Sequence, residues 1–312
     1  MPSKTIIGHG LNTTSLKDGD MAALDDLLGR YVDVGCSHVE LVARRLDLIS
    51  GGRILQQRAY AVLEILNRHN ITPTMHAPHA LNFMDLPNIE MHRAVAECSI
   101  ELANRLGVTS IVIHSGRVPE DVWQESRDDL LAKEREELKR LGELAAKADV
   151  RIAVENLIAD PLGKQAVYGA DPRALNDQLG QIDHPAIGGC LDFGHAFLSA
   201  PVLGFDYIDA ISTFSEQVWH LHLHDNGGLA NLGHYVDSGD MIAMGVGDTH
   251  MPMGWGNIPW AELLPCMKFR EGTCAMIELN GRFRSVEDMV SDTAYKFANY
   301  WNGEMDLEST FN

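Results

Sequence analysis

RIAVE, residues 151–155, is a short apolar run that ends on a carboxylate. Its length suits one strand, and its lack of alternation suits a strand buried on both faces. The same form recurs on either side. SIVIH (110–114) ends on His114, and IGGCLD (187–192) ends on Asp192 with His195 just beyond. Farther out, Thr72–His76 ends on His76, Val218–His222 on His222 and Cys274–Glu278 on Glu278, while Thr5–His9 and Ser37–Val42 open the series. These eight runs alternate with amphipathic segments. Leu24, Leu27, Leu28, Tyr31 and Val32 share one helical stripe, as do Met91, Ala94, Val95, Cys98, Leu102, Ala103 and Leu106. Lys133–Lys147 keeps Leu138, Leu141 and Leu144 on one side. Eight strand-then-helix units predict an α/β protein whose parallel sheet closes into a (β/α)8 TIM barrel. The open doubly wound alternative lacks a glycine fingerprint after its first strand.

The 312 residues are 45% hydrophobic, enough for a large core. No linker or low-complexity tract divides them, so residues 1–312 are expected to form a single domain with a short polar C-terminal tail from about Gly303. Net charge is −19, from 25 Lys and Arg against 44 Asp and Glu. Such a chain repels nucleic-acid phosphate at long range, which disfavours a nucleic-acid partner. The cysteines (Cys36, Cys98, Cys190, Cys266, Cys274) include no CxxC pair and read as buried small residues in a reducing compartment. The opening MPSKTIIGHG lacks a signal-peptide pattern, and no stretch of about 18 apolar residues offers a membrane span. A cytoplasmic location without membrane attachment is expected. The longest irregular stretch, Asp225 to Asn257, is rich in glycine, and a loop of that length in a compact domain is usually functional. The tail and this loop leave room for a homo-oligomer.

The chemistry sits at the strand ends. Six consecutive runs deliver His76, His114, Glu155, Asp192 with His195, His222 and Glu278 to the C-terminal mouth of the barrel, where active sites form. A single strand-end acid is as readily a helix N-cap, and a single histidine is more often a satisfied core residue. Six at equivalent positions are not explained that way. Several carboxylates sharing one mouth need a cation to offset their repulsion, so a divalent metal is expected there. His220, His222 and His224 point to one face, but His220 and His224 are roughly 13 Å apart along a strand and cannot both bind one ion. His222 is level with the other ends and is the expected ligand. His220 lies deeper, and His224 or Asp225 is expected near the substrate or behind the ligands. His79 is placed to line the pocket. His9, His38, His69, His92, His184 and His234 lack such company and read as core or surface residues. Asp248 and His250 form an Asp-x-His pair in the long loop, followed by Gly254 and Gly256, which would allow close backbone approach to a ligand.

With these residues laid out, the chain resembles the xylose isomerase-like barrel superfamily. That group includes sugar isomerases and epimerases, inosose dehydratases and the endonuclease IV class of AP endonucleases. The stretches HAPHALN, IVIH, VENL, CLDFGHAF, HLHD, GDTHMPMGWGNI and IELNG resemble its motifs in order, across about residues 70 to 280. The resemblance implies a principal metal held by Glu155, Asp192, His222 and Glu278. It also implies that His76, His114, His195, Asp248 and His250 match the additional ligands of the three-zinc endonuclease type. The sequence departs from that type at NLIADPLGK after Glu155, at His79, and at SGRV after His114.

Two activities are therefore expected in order. The first is a divalent-metal-dependent (Mn, Co, Mg or Zn) sugar isomerase or epimerase acting on a small sugar, with a keto-sugar lyase or dehydratase as a close relative. Glu155 and Glu278 would remove and return the proton alpha to the carbonyl, through an enediolate held by the metal. His195 would help to neutralise the oxyanion. Arg117, Arg282 and Arg284 follow strand ends and could hold a phosphate or carboxylate on the substrate. The second is an endonuclease IV-like AP endonuclease with a three-zinc site, against which the net charge and the altered loops argue.

Overall fold

The strand ends converge because the strands close on themselves. The computed structural model describes residues 6–284 and 287–303. Eight parallel strands form a closed barrel: β1 (Ile6–Asn12), β2 (His38–Val42), β3 (Thr72–His76), β4 (Ser110–His114), β5 (Arg151–Glu155), β6 (Ile187–Asp192), β7 (Val218–Leu223) and β8 (Thr273–Ile277). Each pairs with its sequence neighbours, and β8 returns to β1. Around them run α1 (Met21–Asp33), α2 (Gln56–His69), α3 (Ile89–Leu106), α4 (Glu120–Lys147), α5 (Pro172–Ile182), α6 (Phe193–Leu203), α7 (Tyr207–Ser215) and α8 (Glu287–Asn302).

Strands β3, β4, β5 and β6 occupy the residues expected of them. The ends of the series differ. β1 continues to Asn12, so Asn12 rather than His9 reaches the mouth, and the expected start at Thr5 lies outside the described residues. β8 stops at Ile277, and Glu278 is the first residue beyond it. Leu24, Leu27, Leu28 and Tyr31 bury the inner face of α1, but Val32 is exposed. Met91 of the α3 stripe is also exposed; Cys98, Leu102, Ala103 and Leu106 carry that helix onto the core. Four of the five cysteines are buried and Cys266 is exposed, a correction to the sequence expectation.

Register sets the chemistry. Between β4 and β5, His114 lies beside Glu155; between β6 and β7, Asp192 lies beside His222. Two residues earlier on three of these strands, Val112, Ala153 and Cys190 form a small buried cluster with Trp219. The strand period of two makes this the apolar layer beneath the polar mouth. The Gly-rich stretch after β7 contains a short helix, Ser238–Met244. Its two ends are tied together: Asp225 and Met251 exchange backbone hydrogen bonds at 2.8 and 2.9 Å. No helix among the described residues is long and apolar enough to cross a membrane.

Candidate metal centre

His222 stands at the middle of the mouth. Its Nδ1 lies 3.2 Å from Glu155 Oε1, 3.7 Å from Glu278 Oε2 and 3.8 Å from Asp192 Oδ2. The four residues that the resemblance assigns to a principal metal therefore face one point, although they come from β5, β6, β7 and the end of β8. Asp192 serves two purposes. Its carboxylate accepts the backbone N–H of His195 at 2.8 Å, which caps α6, and it also enters the cluster.

A second group flanks the first. Glu155 Oε2 is 3.2 Å from His76 Nε2 and 3.4 Å from His114 Nε2. A third lies across Asp192: His224 Nε2 is 3.1 Å from Asp192 Oδ1, His195 Nε2 is 3.6 Å from both Asp192 and Asp248, and His250 Nε2 is 2.8 Å from Asp248 Oδ2. Within each of the sets His76–His114–Glu155, Glu155–Asp192–His222 and His195–His224–Asp248–His250, ligand atoms lie within 4.8 Å of one another. The rings of His224 and His250 stack with centroids 3.9 Å apart.

The donor set fits a divalent cation. His76, His195 and His250 each direct Nδ1 at a backbone carbonyl, of Ala77 (2.8 Å), Asn156 (3.0 Å) and Glu278 (2.5 Å). That leaves Nε2 of each turned to the carboxylates. Burial pushes His114 down to about 3, so its imidazole is neutral and keeps a lone pair. Asp248 Oδ1 and His224 Nδ1 are buried without a hydrogen-bond partner. Burial alone would raise Glu155, yet the charge of His222 and hydrogen bonds from His222 and His76 hold it well below the usual carboxylate range. The same attraction works in reverse. Burial would lower His195, but Asp192 and Asp248 raise it well above its ordinary value, and against the same opposition Asp248 lifts His250 to about 9. In the metal-free chain, protons on imidazole supply the positive charge that these carboxylates require.

A model of the xylose isomerase-like TIM barrel family matches residues 28–289. The chain belongs to the xylose isomerase-like TIM barrel family. Within this family's fold it is similar to a D-tagatose 3-epimerase-like protein (20% identity, covering 94% of this chain and 98% of the other, TM-score 0.70). It is also similar to an IolI protein whose crystal structure has a bound zinc atom (15% identity, covering 96% and 100%, TM-score 0.67). In sequence it is 23% identical to the uncharacterized protein MJ1614 of Methanocaldococcus jannaschii, over 90% of this chain and 94% of that one.

A xylose isomerase-like mouth was legible in the sequence, but its lining was read incompletely. A cavity of about 460 Å³ is bounded by His76, His114, Glu155, His195, Asp248, His250 and Glu278, together with Asn12, Arg44 and His79. His79 lies where the sequence put it. Asn12 was passed over; its amide Nδ2 donates to Glu278 Oε1. Arg44, in the short helix after β2, is the arginine that reaches this cavity. Arg117 does not line it: the residue leaves β4 in a two-stranded ribbon with Gln165–Val167, exposed at the rim. Arg282 is exposed too, and the side chain of Arg284 and the polar tail lie outside the described residues. Asp225 turns away from the mouth. It accepts from the N–H groups of Gly254 (2.8 Å) and Ile258 (3.2 Å) and from Trp260 Nε1 (2.9 Å), and so anchors the loop. Gly256 packs there as well, where a Cβ would meet Asn226 O at 2.2 Å; its close approach is to this loop's own backbone and not to a ligand. His250 adopts φ 48°, a left-handed conformation that costs a side-chain-bearing residue about 1–3 kcal/mol. Cys190 lies close to His220 and His222, and in the metal-free chain burial pushes its thiol well above the usual range.

Proposed function

We propose that the chain is a divalent-metal-dependent isomerase or epimerase of a small keto-sugar. The observation that carries this reading is the convergence of Glu155, Asp192 and Glu278 on one nitrogen of His222. These four side chains would hold the ion, whose chemistry when bound is Lewis-acid polarisation of a carbonyl. Glu155 ends β5 and Glu278 follows β8, so the two carboxylates approach from different strands. One takes the proton from the carbon next to the carbonyl, and the other delivers a proton to the opposite face. Asn12 holds the Glu278 carboxylate in orientation. His195, fixed by the Asn156 carbonyl, presents Nε2 toward the oxygen that gains charge. The likeness to a D-tagatose 3-epimerase-like protein supports the substrate class. The cytoplasm and a homo-oligomer remain part of this proposal, as does the single domain.

One observation favours a second reading. The third ligand group, His195, His224, Asp248 and His250, is more than a mononuclear sugar enzyme needs. A polynuclear centre would suit hydrolysis of a phosphate ester, as in an AP endonuclease. Against it, Arg44 is the one Lys or Arg among the described residues lining the cavity, and net charge is −19.

Metal analysis by mass spectrometry on protein purified without added metal decides between them, with wild type and Glu155→Gln side by side. Keto-sugars are then incubated with the enzyme in D2O, and deuterium at the carbon beside the carbonyl is read by NMR. About one exchangeable Mn, Co or Mg per chain, lost in the variant, with deuterium uptake into a ketose, is the expected result. About three zinc per chain, with no exchange and with cleavage of abasic DNA, would replace the sugar reading by the nuclease.

A further inference from the structure

The imidazoles of this site are oriented in two different ways. His76, His195 and His250 each give Nδ1–H to a backbone carbonyl and keep Nε2 for the site. His222 is reversed: Nδ1 faces the carboxylates, and Nε2 lies 3.2 Å from Oε2 of Glu40. Glu40 comes from β2, across the barrel, and is fully buried. Nothing in the sequence singled it out, because β2 continues two residues past it. Behind it, His220 Nε2 lies 2.9 Å from the same Oε2, and His220 Nδ1 is 3.2 Å from Cys274 Sγ. A buried line therefore runs from Cys274 through His220 and Glu40 to His222.

We propose that Glu40 is the positioning residue for His222: its carboxylate accepts the Nε2–H, and so fixes the tautomer that presents a bare Nδ1 to the ion. A neutral imidazole carries a single N–H, so the acceptor on one nitrogen decides which nitrogen is left as a ligand. A carboxylate acceptor also raises the donor strength of the ring more than a carbonyl does, and such outer partners are worth about 10–100-fold in metal affinity. The central ligand thus has the strong acceptor, whereas His76, His195 and His250 have carbonyls. His220 Nε2 approaches the same carboxylate oxygen from deeper in the barrel. The inference rests on the proposed metal site.

Zinc affinity is measured by competition with a chromophoric chelator for wild type, Glu40→Ala and Glu40→Gln. The His222 tautomer is read by ¹⁵N NMR of the zinc-loaded, histidine-labelled proteins. Wild type should show the Nε2–H form. Glu40→Ala should bind zinc about 10–100-fold more weakly and lose the single tautomer. Glu40→Gln, nearly isosteric and still an acceptor through its amide oxygen, should keep the tautomer with an intermediate affinity; it carries the test if the alanine variant fails to fold. Zinc binding unchanged in both variants overturns the role of Glu40 and leaves the metal site standing. A zinc–Glu40 bond in an anomalous-scattering map makes Glu40 a ligand and overturns it as well. A wild type that takes up no zinc removes the metal site and this inference together.

Discussion

At the scale of single residues, the site depends on what is left out as much as on what is present. Gly194 follows the cap of α6, and a Cβ built on it would lie 2.1 Å from Cε1 of His224. The ring has no free direction, since it is fully buried and stacked on His250. Gly194→Ala is therefore expected to cost about 1–3 kcal/mol of stability and to displace His224 from the third ligand group. Thermal denaturation and a zinc titration check this; wild-type values in both would show that His224 is not held there by close packing. Asn12→Ala tests an effect of similar size. It removes a hydrogen bond to a charged carboxylate, worth about 1.5–3 kcal/mol, and should lower kcat through Glu278 with little change in metal content. The candidate ligands were readable because they are chemically distinctive and end their strands. Glu40 and Asn12 were not, because Glu40 lies inside its run and Asn12 lies three residues past an expected strand end. Only the closed barrel brings them to His222 and Glu278.

At the scale of elements, strands and loop contribute differently. Buried parallel strands leave a plain mark in sequence, an unbroken apolar run of about five residues. β4 to β6 were legible for that reason, and their polar ends with them, while β3 (TPTMH) was legible from its place in the series. The inner face of α1 was legible too, but Val32 and Met91 show that a stripe marks which side of a helix is apolar without marking where the core stops. The loop after β7 was legible only as a long, glycine-rich stretch, because its order comes from one buried acid. Asp225 satisfies donors from Gly254, Ile258 and Trp260, which are distant in sequence. Asp225→Ala leaves three buried donors, the N–H groups of Asn226 and Ile258 and Nε1–H of Trp260, without an acceptor and should cost about 3 kcal/mol or more. Asp248 and His250 lie on the same loop, so the variant should also lose hydrogen-exchange protection over 248–260 and weaken metal binding. Lost stability with unchanged protection in that segment would mean that Asp225 supports the barrel rather than the loop.

For the whole molecule, the cluster sets how stability follows pH. Without metal, the mouth's carboxylates are balanced by imidazoles that hold protons above their ordinary range, His250 to about 9 with His76, His195 and His222 also raised; deeper in the barrel, Cys274 and Glu40 lift His220 to about 9 as well. In the unfolded chain histidines titrate near 6.5. Between about pH 6.5 and 9 the folded, metal-free protein therefore binds more protons than the unfolded one. The stabilisation from these groups is complete below about 6.5 and is lost as pH rises through about 9. A cation takes the place of those protons, so its binding releases them and strengthens as pH rises. The metal's contribution to stability grows with its affinity, and it grows over the same interval in which the protons' contribution disappears. Calorimetry with and without chelator should then show two diverging trends: Tm of the chelated protein falls from pH 6.5 to 9, while Tm of the loaded protein holds or rises. A chelated protein that melts higher at pH 9 than at pH 6.5 would mean that its imidazoles are neutral when folded, and that the carboxylates of the mouth share their charge in some other way.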